Sequence, residues 1–444
     1  MDKGPSAVAD PGEARERRTW KTPKVRLRDV LGPGLITGAS DDDPSGIATY
    51  SQAGAVFGYG LGWTMLFTYP LMSAVQMISA RIGRTTGHGI AGNLRRHYPR
   101  WLTVSVVLLL LVANTINIGA DLGAMADATA LVTGGEPWLF LIGFAGFCAL
   151  SEVVMRYGNY VRILKWLTLA LVAYVATLFL VHVPWSHALG TMVLPMIEPG
   201  SGPLIMIVAI LGTTISPYLF FWQASQEAED VREFDGREPL KFAPQDGRYE
   251  LKRIELDTLA GMAASNLVAL AIIWTAAATL NANGITDINT SAEAAAALEP
   301  VAGPYASTIF ALGIVGTGLL AVPVLAGSAA YAIGEAMYWN VGLGQKPRRA
   351  KAFYGTIVAA TAIGAFMNFS PINPIEALYW AAVINGVVAV PVMVVMMLMS
   401  TRKSLMGVFT ITRGMAIMGW IATLVMGLAV AAMFWSIAAG GAEL

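Results

Sequence analysis

Eleven stretches of this chain stay apolar for about the length an α-helix needs to cross a bilayer, roughly 20 residues. They run over about 29–58, 61–81, 102–128, 137–155, 160–182, 202–227, 255–280, 304–336, 352–369, 374–400 and 412–438. A bilayer core takes about 20 apolar residues as helix, so these continuous runs read as membrane-spanning helices. The fold class is all-α integral membrane protein. Composition supports this where it bears on the choice. The 444 residues are 55% hydrophobic and only 13% charged, too few charges to cover a soluble enzyme. Lys+Arg and Asp+Glu number 29 each, so no basic excess exists for nucleic acid. The one cysteine, Cys148, excludes an internal disulfide or a cysteine-based zinc site.

The polar segments test the span count. With the amino terminus cytoplasmic, the segments 1–28, 81–101, 156–165, 228–253, 340–351 and 401–413 lie on that side and hold all 29 Lys and Arg. The opposite segments 129–136, 183–201, 281–303 and 370–373 hold none. Cytoplasmic segments attract Lys and Arg, and one miscounted span would put bases on the wrong side. The expectation is an inner (plasma) membrane protein with its amino terminus cytoplasmic and its carboxyl terminus outside. Residues 1–28, with Pro5, Gly12 and Pro23, read as a flexible cytoplasmic tail, and no signal peptide is expected before the first span. Trp138 and Trp185 fall in the outer aromatic belt.

Two spans are interrupted. The first contains Gly38-Ala-Ser-Asp41-Asp42-Asp43-Pro44-Ser45-Gly46 inside an apolar run. A carboxylate there costs several kcal/mol (on the order of 3 or more) unless paired, hydrated or neutralised. Pro44 removes a backbone donor and Gly46 permits a sharp turn, so a break near 42–46 is expected. Free carbonyls beside a carboxylate are hard oxygen ligands for a cation, with Asp43 as the leading candidate. The sixth span carries Gly212-Thr213-Thr214-Ile215-Ser216-Pro217-Tyr218, again a small polar run before a proline. Each break opens a set of five spans, and five is odd, so the second set is inverted relative to the first. Broken helices at matching places in inverted repeats point to a transport site at the midplane. The expected units are the first repeat 29–182, the second repeat 202–400 and an eleventh helix 412–438.

Leu31-Gly-Pro-Gly-Leu-Ile, Asp43-Pro44-Ser45-Gly46 and Gln52-Ala-Gly-Ala-Val-Phe-Gly-Tyr59 together resemble the first helix of the Nramp divalent-metal transporters, whose hallmark there is Asp-Pro-Gly-Asn. Ser216-Pro217-Tyr218 stands where that family has Met-Pro-His. The resemblance implies a LeuT-like fold, two inverted five-helix repeats with helices 1 and 6 broken plus an eleventh helix, and alternating access. It implies a metal site made by the Asp43 carboxylate, the Ser40 and Thr213 carbonyls, positions Gly46 and Ser216, and Asn385 of the tenth helix. It also implies a proton pathway, here reduced to Asp121 and Tyr218. The family's Asp-Leu-x-Glu reads Asp121-Leu122-Gly123-Ala124, and its sixth-helix histidines are replaced by Tyr218 and Gln223.

These departures have a chemical direction. Thioether sulfur favours softer transition metals, and a hydroxyl at Ser216 removes that preference. With the amide also absent at Gly46, the site suits a partly hydrated Mg2+, which sheds water reluctantly, and it would admit Mn2+. This resembles the divergent, magnesium-transporting branch related to Nramp, with proton coupling weak or absent. A proton-coupled Mn2+/Fe2+ transporter is the alternative. An amino-acid carrier of the same fold is another, although three adjacent Asp would repel a substrate carboxylate. No resident cofactor and no enzymatic activity are expected. The partners are the divalent cation and the lipid bilayer, not nucleic acid, and the working unit is a monomer.

Overall fold

A computed structural model describes residues 33–154, 171–195, 200–233, 237–371 and 373–439. The tail 1–28 and the basic segment 156–165 lie outside the described residues. The first span divides into α1 (Pro33–Asp41) and α2 (Pro44–Phe57). Next come α3 (Trp63–Thr86), the short α4 (Ile90–His97), α5 (Arg100–Thr133) and α6 (Pro137–Val154). α7 (Val172–Leu180) is the described part of the fifth span, and α8 (Trp185–Val193) follows it. The sixth span divides into α9 (Ser201–Thr214) and α10 (Pro217–Glu233), and α11 (Gly247–Thr279) is the seventh. After the short α12 (Ser291–Ala296) and α13 (Glu299–Ala302) come α14 (Ala306–Ala336), α15 (Lys351–Met367) and α16 (Pro374–Ser400). The short α17 (Lys403–Met406) precedes the last span, α18 (Arg413–Ala438). No strand occurs among the described residues.

Seven described helical runs are long and apolar enough to cross a membrane, against the eleven stretches read from the sequence. The other four have local reasons. The first span is cut in two, and α3 carries buried Thr68, Ser73, Gln76, Ser79 and Arg84. α15 has only 17 residues, and the fifth span is described only in part.

The packing is reciprocal. α1 and α2 of the first half lie along α11 of the second, while α10 of the second lies along α3 of the first and α9 packs chiefly on α16 and α18. α5 runs through the centre against α14, α15 and α16. Lipid supplies no hydrophobic drive between helices, so close backbone approach through small residues takes its place. A methyl group on Gly38 would strike the Gly261 backbone, and one on Gly212 would strike Ala382 and Gly386.

The polar segments gather at the two ends as the charge pattern requires. At one end Arg84 pairs with Glu250 at 3.3 Å and Arg253 with Glu227 at 2.5 Å. There Arg81 donates to the Phe409 carbonyl, Arg402 to that of His97, and the Gly344 N–H to Glu229. Four of the basic segments thus meet one another. At the other end Thr191 donates to the Tyr59 carbonyl, Asn373 to that of Asn289, and Ser291 to Asp127.

Candidate metal site

Two local signals make the first break. α1 is held at its start by Asp257 of α11, whose carboxylate accepts from the Gly34 N–H at 2.7 Å and the Leu35 N–H at 3.0 Å. Carboxylates stabilise helix N-termini through exposed N–H groups and the helix dipole. α2 begins with Pro44 at its first position, where the missing N–H costs nothing. Asp43 is the N-cap, extended at φ −70° and ψ 170°, and accepts from the Gly46 N–H at 2.7 Å. The interruption is therefore only Asp42 and Asp43, narrower than 42–46. Gly46 lies inside the first turn of α2 and makes no turn of its own. A Cβ there would sit 3.3 Å from the Tyr50 ring, so aromatic carbon occupies part of the room an asparagine would need.

The second break is Ile215 and Ser216. The Ser216 hydroxyl turns back onto its own helix, donating to the carbonyls of Gly212 at 2.5 Å and Thr213 at 2.9 Å. Its proton is committed to the end of α9, and only oxygen lone pairs remain to face a cation. The Thr213 carbonyl, at the end of α9, already accepts that proton, with a second lone pair left over.

Asp43 is the hub. One carboxylate oxygen accepts from the Ser45 hydroxyl and the Gly46 N–H, both at 2.7 Å. The other accepts from the Asn117 amide at 3.1 Å and the Tyr218 hydroxyl at 3.3 Å. Tyr218 also reaches the Ser40 carbonyl at 2.9 Å, so it ties the second break to the first. Tyr50 makes the converse link, its hydroxyl accepting from Thr213 at 3.0 Å. Asp41 and Asp42 face away from this hub towards Ser265 of α11, at 2.5 and 3.2 Å.

Buried oxygens with no hydrogen-bond partner include one on Asn117, which touches Asp43, both on Asp121, and one each on Asp41 and Asn114. The Asp121 carboxylate lies beside the Ser45 backbone, yet no bond of normal geometry closes. Asn385, buried on α16 where that helix packs against Gly212, has both amide atoms unpartnered. Native interiors leave few such groups unless a water or an ion meets them. No three His, Cys, Asp or Glu side chains converge as a metal cluster among the described residues. The named residues offer the Asp43 and Asp121 carboxylates with amide, hydroxyl and carbonyl oxygens, none of them a sulfur ligand. Sequence reasoning singled out Asp43, Ser40, Thr213, Ser216, Asn385, Asp121 and Tyr218 but missed Ser45, Tyr50 and Asn117. The signal for Asn117 was present, because Asn114, Asn117 and Asp121 recur at helical spacing in an otherwise apolar span.

The family model described as "Natural resistance-associated macrophage protein-like" (Nramp) matches residues 34–436. This chain belongs to the Nramp family. Relatives named "Divalent metal cation transporter MntH" from Yersinia pestis (strain Pestoides F) and Klebsiella pneumoniae (strain 342) are each 28% identical to it over 308 residues. That is 67% of this chain and 70% and 69% of theirs. These Nramp relatives carry the names of transporters and not of enzymes. Among solved structures, a manganese transporter from Eremococcus coleocola aligns with a TM-score of 0.68 at 18% identity, covering 91% of this chain and 86% of that one. The Nramp fold of this chain is thus the LeuT-like arrangement expected from its sequence, with helices 1 and 6 broken.

Proposed function

We propose that this Nramp-family protein is a secondary transporter that moves divalent metal cations across the membrane by alternating access. The observation that carries the reading is Asp43, a carboxylate at a helix break, bonded to both halves of the molecule and accompanied by the unpartnered buried oxygens of Asn117 and Asp121. A divalent cation entering there would meet a full negative charge and neutral oxygens without a competing base. The ligands we assign are Asp43, the Ser40 and Thr213 carbonyls, Ser216 through its lone pairs, and Asn385, with Gly46 supporting Asp43 through its N–H. The two inverted five-helix repeats we assign are residues 29–182 and 202–400, with the eleventh helix 412–438 outside them. The protein acts as a monomer in the inner membrane, amino terminus cytoplasmic and carboxyl terminus outside.

Within that class we favour a partly hydrated hard cation, Mg2+, with Mn2+ admitted. Support comes from the missing sulfur at Ser216 and the missing amide at Gly46, because Mg2+ tolerates retained water and prefers oxygen. Proton coupling is weak or absent, since Ala124, Tyr218 and Gln223 stand where the family has titratable groups. One observation favours the second reading, proton-coupled Mn2+ transport. Asp121 lies buried and unpartnered near Asp43, and Tyr218 bridges Asp43 to the Ser40 carbonyl.

Reconstitution into liposomes with a trapped pH dye separates the readings. Uptake of Mg2+ and Mn2+ without acidification of the lumen is the expected result. Mn2+ uptake with acidification and no Mg2+ uptake would establish the second reading.

A further inference from the structure

The amide oxygen missing from position 46 has a replacement on another helix. We infer that the Asn117 side-chain oxygen, on α5, is a ligand of the transported divalent cation. This rests on the transporter reading above, and it adds a helix that supplies no metal ligand in the resembled motif set.

Asn117 is fully buried, and its amide nitrogen donates to Asp43. That bond fixes how the amide faces, because the opposite orientation would set oxygen against carboxylate oxygen. Its own oxygen is consequently left without a donor. An unpaired buried acceptor costs about 1–3 kcal/mol, and a cation or a cation-bound water beside Asp43 would remove that cost. Turning the amide over would present its oxygen directly, and the terminal torsion of asparagine is soft enough to allow it.

The neighbours on the same face of α5 repeat the pattern. Three residues earlier, Asn114 spends its amide nitrogen on the Leu325 carbonyl at 2.8 Å and the Ser328 hydroxyl at 2.7 Å of α14, leaving its oxygen unpaired. Four residues later, Asp121 has both oxygens unpaired. From Asn114 to Asp121 the helix rises about 10 Å. Along that rise α5 offers oxygens whose donors are already used or lacking, the electrostatic character of a cation path. Amides do not ionise near neutral pH, so Asn114 and Asn117 serve as dipolar ligands and not as proton carriers. Asp43 already accepts three hydrogen bonds and shares the Tyr218 proton with the Ser40 carbonyl, so a cation shedding water needs further oxygens close by. Asn117 is the neutral one already in contact with the carboxylate.

The test measures uptake by the full-length protein in proteoliposomes, for Mn2+ and Mg2+ separately, in wild type, Asn117→Leu and Asn117→Asp. Asn117→Leu keeps the volume and removes the oxygen. It is expected to raise KM for both ions about tenfold, equivalent to about 1.4 kcal/mol of ion binding, with a smaller change in Vmax. Asn117→Asp supplies oxygen but cannot donate to Asp43, and it is expected to keep KM near wild type or lower it. A wild-type KM in Asn117→Leu overturns the inference. So does an Asn117→Asp variant that folds but binds ions no better than Asn117→Leu, because Asn117 would then act only by positioning Asp43. If Asn117→Leu does not fold, Asn117→Asp alone decides, since a raised KM there contradicts the ligand role. A wild-type protein that carries no divalent cation would overturn the functional reading itself, a result distinct from either variant outcome.

Discussion

In the transport site proposed above, Asp43 and Ser216 would divide the setting of charge and softness at the breaks. Asp43 carries the negative charge, and four donors from α2, α5 and α10 hold its oxygens in place. Ser216 closes the end of α9 with its own proton, as serine commonly does by bonding back to a preceding carbonyl. Replacing it with the thioether of methionine should shift preference towards Mn2+. In competition uptake, Ser216→Met is expected to raise the ratio of Mn2+ to Mg2+ transport several-fold, and an unchanged ratio would remove Ser216 from the selectivity argument. His88, in the polar segment after α3, shows a different residue-scale effect. Burial, with Arg96, Arg232 and His97 nearby, pushes its imidazole down to about 4. The unfolded chain therefore binds a proton below about 6.5 that the folded protein refuses, and stability falls as pH drops from there towards 4. The apparent Tm of purified protein should fall on acidification from pH 7 to pH 5, and His88→Gln should lessen that fall. An equal fall in both proteins would contradict the assignment. At this scale the sequence displayed Asp43, Pro44 and Asp121, since charge and proline inside apolar runs stand out. Tyr50 and Asn117 were illegible because their roles arise from which helices meet, and neither residue type is unusual in a membrane span.

At the scale of elements, the breaks are legible because proline and an N-capping aspartate act locally. Their exact width was not. A glycine at 46 suggested a longer interruption, but α2 starts at Pro44 as soon as Asp43 caps it. Helix α1 is short, nine residues, and keeps its place by the Asp257 cap and by contact of Gly38 with the Gly261 backbone. Gly38→Val puts a branched side chain into that contact. Overpacking of this kind costs about 1–3 kcal/mol, more when backbone must move. The variant should lower the apparent Tm and, if α1 must rock against α11 during the cycle, lower Vmax with little change in KM. A variant with wild-type Tm would show that α1 does not rest on α11 as the structure has it.

For the whole molecule, a net charge of zero conceals a one-sided arrangement. The basic segments among the described residues meet one another at one end, where Arg84, Glu250, Arg253 and Glu227 form a buried ionic cluster. This gathering of basic segments at one end was readable from the sequence because Lys and Arg favour one side of a bilayer. The packing of α1 and α2 on α11, and of α10 on α3, was implied only by the pairing of the breaks. Cysteine labelling on a Cys148→Ala background tests the orientation. A cysteine at Lys346 should react with a membrane-impermeant reagent only from the cytoplasmic side, and one at Glu136 only from outside. The reverse pattern would invert the topology.

Uptake of Mn2+ into liposomes by wild-type protein and by Asp43→Ala, with both shown to be folded by their elution profiles, tests the central claim most directly. Time-dependent uptake by wild type and a rate for Asp43→Ala no higher than that of empty liposomes is the predicted result. Wild-type uptake by the folded Asp43→Ala protein would contradict it.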